Sequence, residues 1–105
     1  MEKIKIGNKR LKIKVCADSL SQAIGLMFSR QKNILFKFDK EDLHSIHMLF
    51  VFYPLDIVWI NKNKVVDVKK AYPFISYLIP KTKAKYVLET SLNSGIKIGD
   101  KFSWK

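Results

Sequence analysis

The sequence predicts a mainly β domain, an antiparallel sandwich or flattened barrel carrying one or two short helices. Three observations predict it: stretches where basic and aliphatic residues alternate with period two, short apolar runs rich in β-branched and aromatic residues, and turn-forming Gly, Asn, Asp and Pro between them. About eight short strands spaced in this way suit a sandwich or barrel. At 105 residues the chain is expected to form one domain over residues 1–105, since two would each be too small to bury a stable core. Apolar residues at 48% and charged residues at 28% are ordinary for a folded protein and exclude a disordered one.

Residues 3–6 and 11–16, KIKI and LKIKVC, alternate basic and aliphatic, and Gly7-Asn8 between them supplies turn chemistry. They predict a hairpin with one face on the core and Lys3, Lys5, Lys12 and Lys14 on the other. Such a row could follow a phosphate backbone, but lysine is also the ordinary guard of an exposed strand against edge-to-edge pairing, and that reading is preferred. Ser19 and Gln22 have capping-box spacing ahead of AIGLMF, which predicts a helix from about Leu20 to Phe28 with Leu20, Ile24, Met27 and Phe28 on its core face. Arg30 just past its end could complement the helix dipole or hold an anion. Residues 33–38, NILFKF, read as a strand, and Asp39 to Asp42 as a solvated acidic turn that lacks the spacing of a calcium loop.

The most apolar stretch, His44 to Ile60, holds both histidines, Pro54 and the carboxylate Asp56. It reads as a strand from His44 to Phe52, a break at Tyr53-Pro54, and a second strand from Leu55 to Ile60, because proline cannot donate to a ladder. Asn61 to Lys64 forms a four-residue connection to a return arm, Val65 to Lys70. Residues 71–83 hold two prolines and no clean period, which predicts a loop pinned by Tyr72, Phe74, Tyr77 and Leu78. Lys85 to Glu89 reads as a strand, Thr90 to Asn93 as a helical turn ending at Gly95, and IKIGDKFSW as a strand pair around Gly99-Asp100, with Trp104 packed.

No apolar leader follows Met1, and the run from Ile46 to Ile60 is shorter than a membrane span and interrupted by Pro54 and Asp56, so a soluble, cytoplasmic protein is expected. The single cysteine, Cys16, cannot form an internal disulfide and reads as a small buried hydrophobe. Net charge +11 draws attention to anionic partners, yet 18 of the 20 basic residues are lysine rather than arginine, which phosphate and guanine recognition would favour. A lysine and isoleucine surplus also accompanies AT-rich coding or adaptation to heat.

Asp56 is the first candidate site residue, because a carboxylate in an apolar strand must find hydrogen-bond donors or be pushed towards its neutral form. The structural reading, in which it accepts backbone N–H groups and shapes the bend after Pro54, is preferred. His44 and His47 are three apart, so on a strand they face opposite sides and do not readily share a metal. His47 would form an acid–base pair with Asp56 if the chain folds back at Tyr53-Pro54. No nucleophile elbow, phosphate-binding glycine loop or metal-ligand cluster is visible, so no cofactor or metal is expected and an enzyme has little support.

Taken in order, GLMF at Gly25 to Phe28, ILFKF at Ile34 to Phe38, HMLFVFYPLDIVWI at His47 to Ile60, VVDV at Val65 to Val68, AKYVLE at Ala84 to Glu89 and GIKIGD at Gly95 to Asp100 resemble the uncharacterised domain of unknown function 192 family. The resemblance covers roughly residues 10–104 and implies a mainly β domain with one or two short helices. It implies no activity, because the family has none established. Many members carry Trp-Met-Lys-Asn-Thr where this chain has His47-Met48-Leu49-Phe50-Val51, so any role of the polar residues there is lost or altered.

Three alternative functions are weighed, of which the first is preferred. The first is a non-catalytic module binding a small ligand or a protein partner in a groove formed by Arg30, His47, Tyr53, Asp56, Tyr72 and Tyr77. The second is a nucleic-acid-binding accessory protein using Lys62, Lys64, Lys69, Lys70, Lys81, Lys83 and Lys85, interleaved with aromatic residues as in single-strand binders. The third, with least support, is a small hydrolase or isomerase using Asp56 and His47.

Overall fold

The computed structural model describes residues 2–16, 33–44, 46–47, 54–72 and 77–104. Among them are nine strands: β1 (Glu2–Ile6), β2 (Lys9–Cys16), β3 (Ile34–Asp42), β4 (Ile46–His47), β5 (Leu55–Asn61), β6 (Lys64–Ala71), β7 (Tyr77–Leu78), β8 (Ala84–Ser91) and β9 (Phe102–Trp104). Seven form one sheet in the order β6-β5-β8-β3-β2-β1-β9, and β4 pairs with β7 in a separate two-stranded sheet. The fold is mainly β, a curled sheet that makes a half-barrel. The sheet is mixed rather than purely antiparallel, since β2 and β3 run parallel with Lys14, Val15 and Cys16 opposite Ile34, Leu35 and Phe36. A parallel pair needs a crossover of a dozen or more residues. The helix predicted over Leu20 to Phe28 falls in that crossover, outside the described residues.

The sheet is covered on both faces along its middle. Leu55 to Ile60 are all buried in β5, so the run that reads as continuous apolar sequence serves two cores. On the concave face Ile4, Ile6, Ile13, Leu35, Val58, Ile60, Leu88 and Phe102 pack together. On the other, Ile34, Phe36, Ile57, Trp59 and Val87 form a second cluster. In β1 and β2 one face stays in water, and Lys3, Lys5, Lys12 and Lys14 occupy it, as the alternation predicts. Closure is local: β6 and β9 end the strand order, yet Val65 N–H donates to the Asp100 carbonyl at 2.9 Å and Phe102 N–H to that of Asn63 at 2.8 Å.

Turn chemistry agrees with the sequence in place and differs in detail. The β5–β6 connection is a two-residue turn, not four, with Lys62 and Asn63 both left-handed at φ 49° and 66°, the geometry that matches the twist of a hairpin. Gly7 turns β1 into β2 at φ +57°, and a Cβ there would lie 2.9 Å from Asp100 Oδ2. Gly7→Ala is therefore expected to cost roughly 1–2 kcal/mol, read as a lower urea midpoint with an unchanged slope. An unchanged midpoint would show that the turn and Asp100 relax freely.

Four expectations are corrected. Asp39 to Asp42 continue β3 rather than forming a turn, because the pairing of β3 with β8 shifts register between Lys37 and Asp42 and such a bulge leaves charged side chains in water. Thr90 to Asn93 do not form a helical turn. Thr90 lies opposite Asp56 in the ladder, so β8 stays extended to Ser91 and the turn follows at Leu92-Asn93. IKIGDKFSW holds one strand, β9, since Ile96 leaves the ladder to plug the concave core. Of the strand expected from His44 to Phe52, Ile46–His47 is β4 and His44 precedes it, while residues 48–53 lie outside the described residues.

Candidate functional site

Pro54 and Leu55 lead into β5 so that Asp56 faces the concave side with Val58 and Ile60, at one end of the barrel. Its carboxylate is buried, with 4% of the residue exposed. Oδ2 accepts from Ser94 N at 2.9 Å and from Ser94 Oγ at 2.7 Å, and Ser94 Oγ in turn accepts from Ile96 N at 3.3 Å. Asp56 therefore holds the segment after β8 against the sheet and seats Ile96 in the core. The sequence foresaw an acceptor of backbone N–H groups, but its donors come from the 94–96 segment and not from the bend beside it.

A second property of Asp56 is unspent. Its Oδ1 is buried without a hydrogen-bond partner among the described residues, a costly state for a carboxylate oxygen. The residue forms part of the wall of an open cleft of about 370 Å³ with Val68, Lys70, Asn93, Gly95, Ile96 and Lys97. Lys70 is the cross-strand partner of Asp56, yet its ammonium donates to Asn93 Oδ1. The cleft thus combines a carboxylate with two lysines and an amide.

Arg30 and Tyr53 lie outside the described residues. His47 and Tyr77 are backbone partners between β4 and β7, and nothing further is described of their side chains. Tyr72 is exposed just after β6. Asp56 is met instead by the 93–97 segment. His44 is spent on structure: its ring stacks on Phe38 at 3.7 Å, its Nε2 donates to the Lys40 carbonyl at 2.9 Å, and its own carbonyl accepts from Trp59 Nε1 at 2.8 Å. That contact lies on the face of β5 opposite Asp56, because Trp59 and Asp56 are three residues apart on one strand.

Two carboxylates carry more than the sequence suggested. Asp67 is 1% exposed and accepts from Val68 N and Lys81 N, each at 2.9 Å, with Lys69 Nζ at 3.9 Å. It ties the segment after β7 to β6. Glu89 lies mid-sheet on β8 between Ile34 of β3 and Ile57 of β5. Burial there raises its pKa from 4.5 to about 7, since an apolar setting penalises the charged form. The signal in the sequence was a lone acid at the parity of core residue Val87, which reads as an ordinary strand end without knowledge of the neighbours.

The lysines from Lys62 to Lys85 do not share one surface. Lys64 and Lys70 stand at opposite ends of β6, roughly 20 Å apart along the strand. Lys69 approaches Asp67, and Lys70 lines the Asp56 cleft. Lys81 and Lys83 are exposed and Lys85 is half-buried. Lys62 and Lys64 instead meet Lys5 and Lys101 around a second open cleft, of about 650 Å³. No three His, Cys, Asp or Glu residues among those described are placed to hold a metal ion.

The sequence pattern of the family described as uncharacterised ACR, DUF192, matches residues 2–104. The chain belongs to the DUF192 family. A UPF0127 protein of Pyrococcus horikoshii is 31% identical over 100 residues, 88% of this chain and 86% of that one. A UPF0127 protein of Thermococcus sibiricus is 36% identical over 66 residues, 58% of this chain and 42% of that protein's length. Both relatives come from thermophilic archaea. Among solved structures, a Sinorhizobium meliloti protein provisionally assigned as a transcription regulator superposes with a TM-score of 0.86 at 21% identity, covering 98% of this chain and 92% of that one. A protein of unknown function from Novosphingobium aromaticivorans superposes with a TM-score of 0.85 at 24% identity, covering 97% and 84%. At these identities the fold is what is shared. Among the described residues no helix is long and apolar enough to cross a membrane.

Proposed function

We propose that this protein is a non-catalytic, cytoplasmic binding module whose ligand occupies the cleft walled by Asp56, Lys70, Asn93 and Lys97. The observation that carries the reading is the buried Asp56 Oδ1 without a hydrogen-bond partner among the described residues, in a residue that forms one wall of a 370 Å³ cleft. An orphaned acceptor costs about 1–3 kcal/mol, and a ligand N–H donor would recover it by displacing the side chains that cover Oδ1 from the cleft side. Lys70 and Lys97 complement an anionic group on the same ligand. The chemistry fits a small amphoteric molecule with a cationic or amide donor at one end and a carboxylate at the other. The hydroxyl beside Asp56, Ser94 Oγ, donates to Asp56 and accepts from Ile96 N–H, so it serves to hold the 94–96 segment, and holding such a molecule is the role this cleft supports.

The test is a titration of the ¹⁵N-labelled chain with free amino acids and with their N-acetylated, carboxamide and decarboxylated analogues. The reading expects resonance shifts centred on residues 56, 70 and 93–97, weakened about tenfold in Asp56→Asn, which keeps an oxygen for Ser94 and turns the free acceptor into a donor. Saturable shifts that map elsewhere, or an Asp56→Asn chain that binds as well as the parent, would overturn it.

A further inference from the structure

We propose that the seam where the two ends of the sheet meet, around Lys5, Lys62, Lys64 and Lys101, is an anion site for a ligand carrying several phosphate charges. The backbone there is fixed by bonds between distant segments. Gly7 N–H donates to the Lys101 carbonyl and Phe102 N–H to the Asn63 carbonyl, both at 2.8 Å, and Lys64 and Lys101 are partners in an isolated antiparallel bridge. Three segments far apart in sequence are thus locked side by side.

Strand alternation then points the lysines the same way. Ile4, Ile6, Val65 and Phe102 face the concave core, so Lys5, Lys64, Lys101 and Ser103 face out. Lys5 is the cross-strand partner of Ser103. Lys64 stands directly opposite Lys101, which places the two Cβ atoms about 5 Å apart. Like charges directly opposed destabilise a ladder, and two further lysines flank this pair. No carboxylate lines the cleft, and among the described residues none forms an ion pair with any of the four.

A bound anion would remove that repulsion, and the charge to be matched exceeds what a single carboxylate brings. At about 650 Å³ the cleft falls within the range of small-molecule sites and accommodates a chain of phosphates. Ammonium groups act on phosphate as point charges and need no bidentate geometry, while Asn63 and Ser103 add neutral donors at the rim. The seam lies at the opposite end of β6 from the Asp56 cleft, so it stands or falls independently of that site.

The whole chain carries net charge +11, so the experiment must separate a site from general attraction. Calorimetric titration with inorganic tripolyphosphate is to be run on the parent, on Lys64→Gln/Lys101→Gln, and on Lys12→Gln/Lys14→Gln, whose net charge equals that of the seam variant. The seam variant is expected to lose about tenfold in affinity at about 50 mM salt, with the control unchanged. Without ligand, the seam variant should melt no lower than the parent, since a repulsive pair has been removed. A parallel titration with an oligothymidylate distinguishes the source of the phosphates: a seam-dependent loss assigns them to a strand backbone, and tripolyphosphate binding alone to a small phosphorylated compound. Equal losses in seam and control variants, or no binding by the parent, would overturn the proposal.

Discussion

Glu89→Gln is expected to stabilise the fold at alkaline pH and to leave it unchanged in acid. Glu89 sits between Ile34 and Ile57 in the ladder, and no hydrogen bond or ion pair to it is formed among the described residues. Burial carries its pKa from 4.5 to about 7. Between those values the folded chain holds a proton that the unfolded chain has released, so stability falls as pH rises through the window. Below pH 4.5 both states are protonated and the cost vanishes. Above about 7 it is complete and amounts to at most about 3 kcal/mol, trimmed by the part of the side chain still open to water. Glutamine keeps the shape and removes the charge. Urea midpoints of parent and variant should therefore coincide near about pH 4 and diverge by about pH 8 in favour of the variant. Parallel pH profiles would mean that an ionised Glu89 is compensated within the fold.

The second large effect concerns Asp56. Asp56→Ala removes the acceptor for both Ser94 N and Ser94 Oγ, strands a partly buried N–H, and frees the segment that seats Ile96 in the concave core. Bonds to a charged acceptor are worth about 1.5–3 kcal/mol each, and the segment relaxes partially, so a net loss of about 3 kcal/mol is expected. Asp56→Asn should cost much less, because one amide oxygen serves Ser94 as before. Chemical denaturation gives the ranking, and faster amide exchange at Ser94 and Ile96 in the alanine variant gives the location. If the two variants were equally stable, the Ser94 contacts would not be what holds this segment.

What could be read in advance follows the range of the forces involved. The Gly7-Asn8 turn, the β5–β6 hairpin and the outward lysines of β1 and β2 depend on residues a few positions apart, and each stands where the pattern placed it. Asp56 was legible as a carboxylate needing donors, because burial of the surrounding LDIVWI run follows from composition. Its donor was not, since Ser94 is 38 residues away. Glu89 escaped notice for the same reason: a charge at the end of KYVLE is unremarkable until Ile34 and Ile57 flank it.

The amino-acid pattern by itself determined the mainly β class, the turns at Gly7-Asn8 and between β5 and β6, and the family to which the chain belongs, since alternation, β-branching and turn chemistry act within a few residues. Tertiary structure alone decided that β2 and β3 run parallel, that the start of β6 meets the segment leading into β9, and that Lys5, Lys62, Lys64 and Lys101 share a cleft while Lys69 and Lys70 lie elsewhere. Strand partners are chosen by burying apolar faces between segments distant in the chain, and register then sets which side chains meet. A run of lysines read in order therefore says how much charge there is, and only the curled sheet says where it is concentrated.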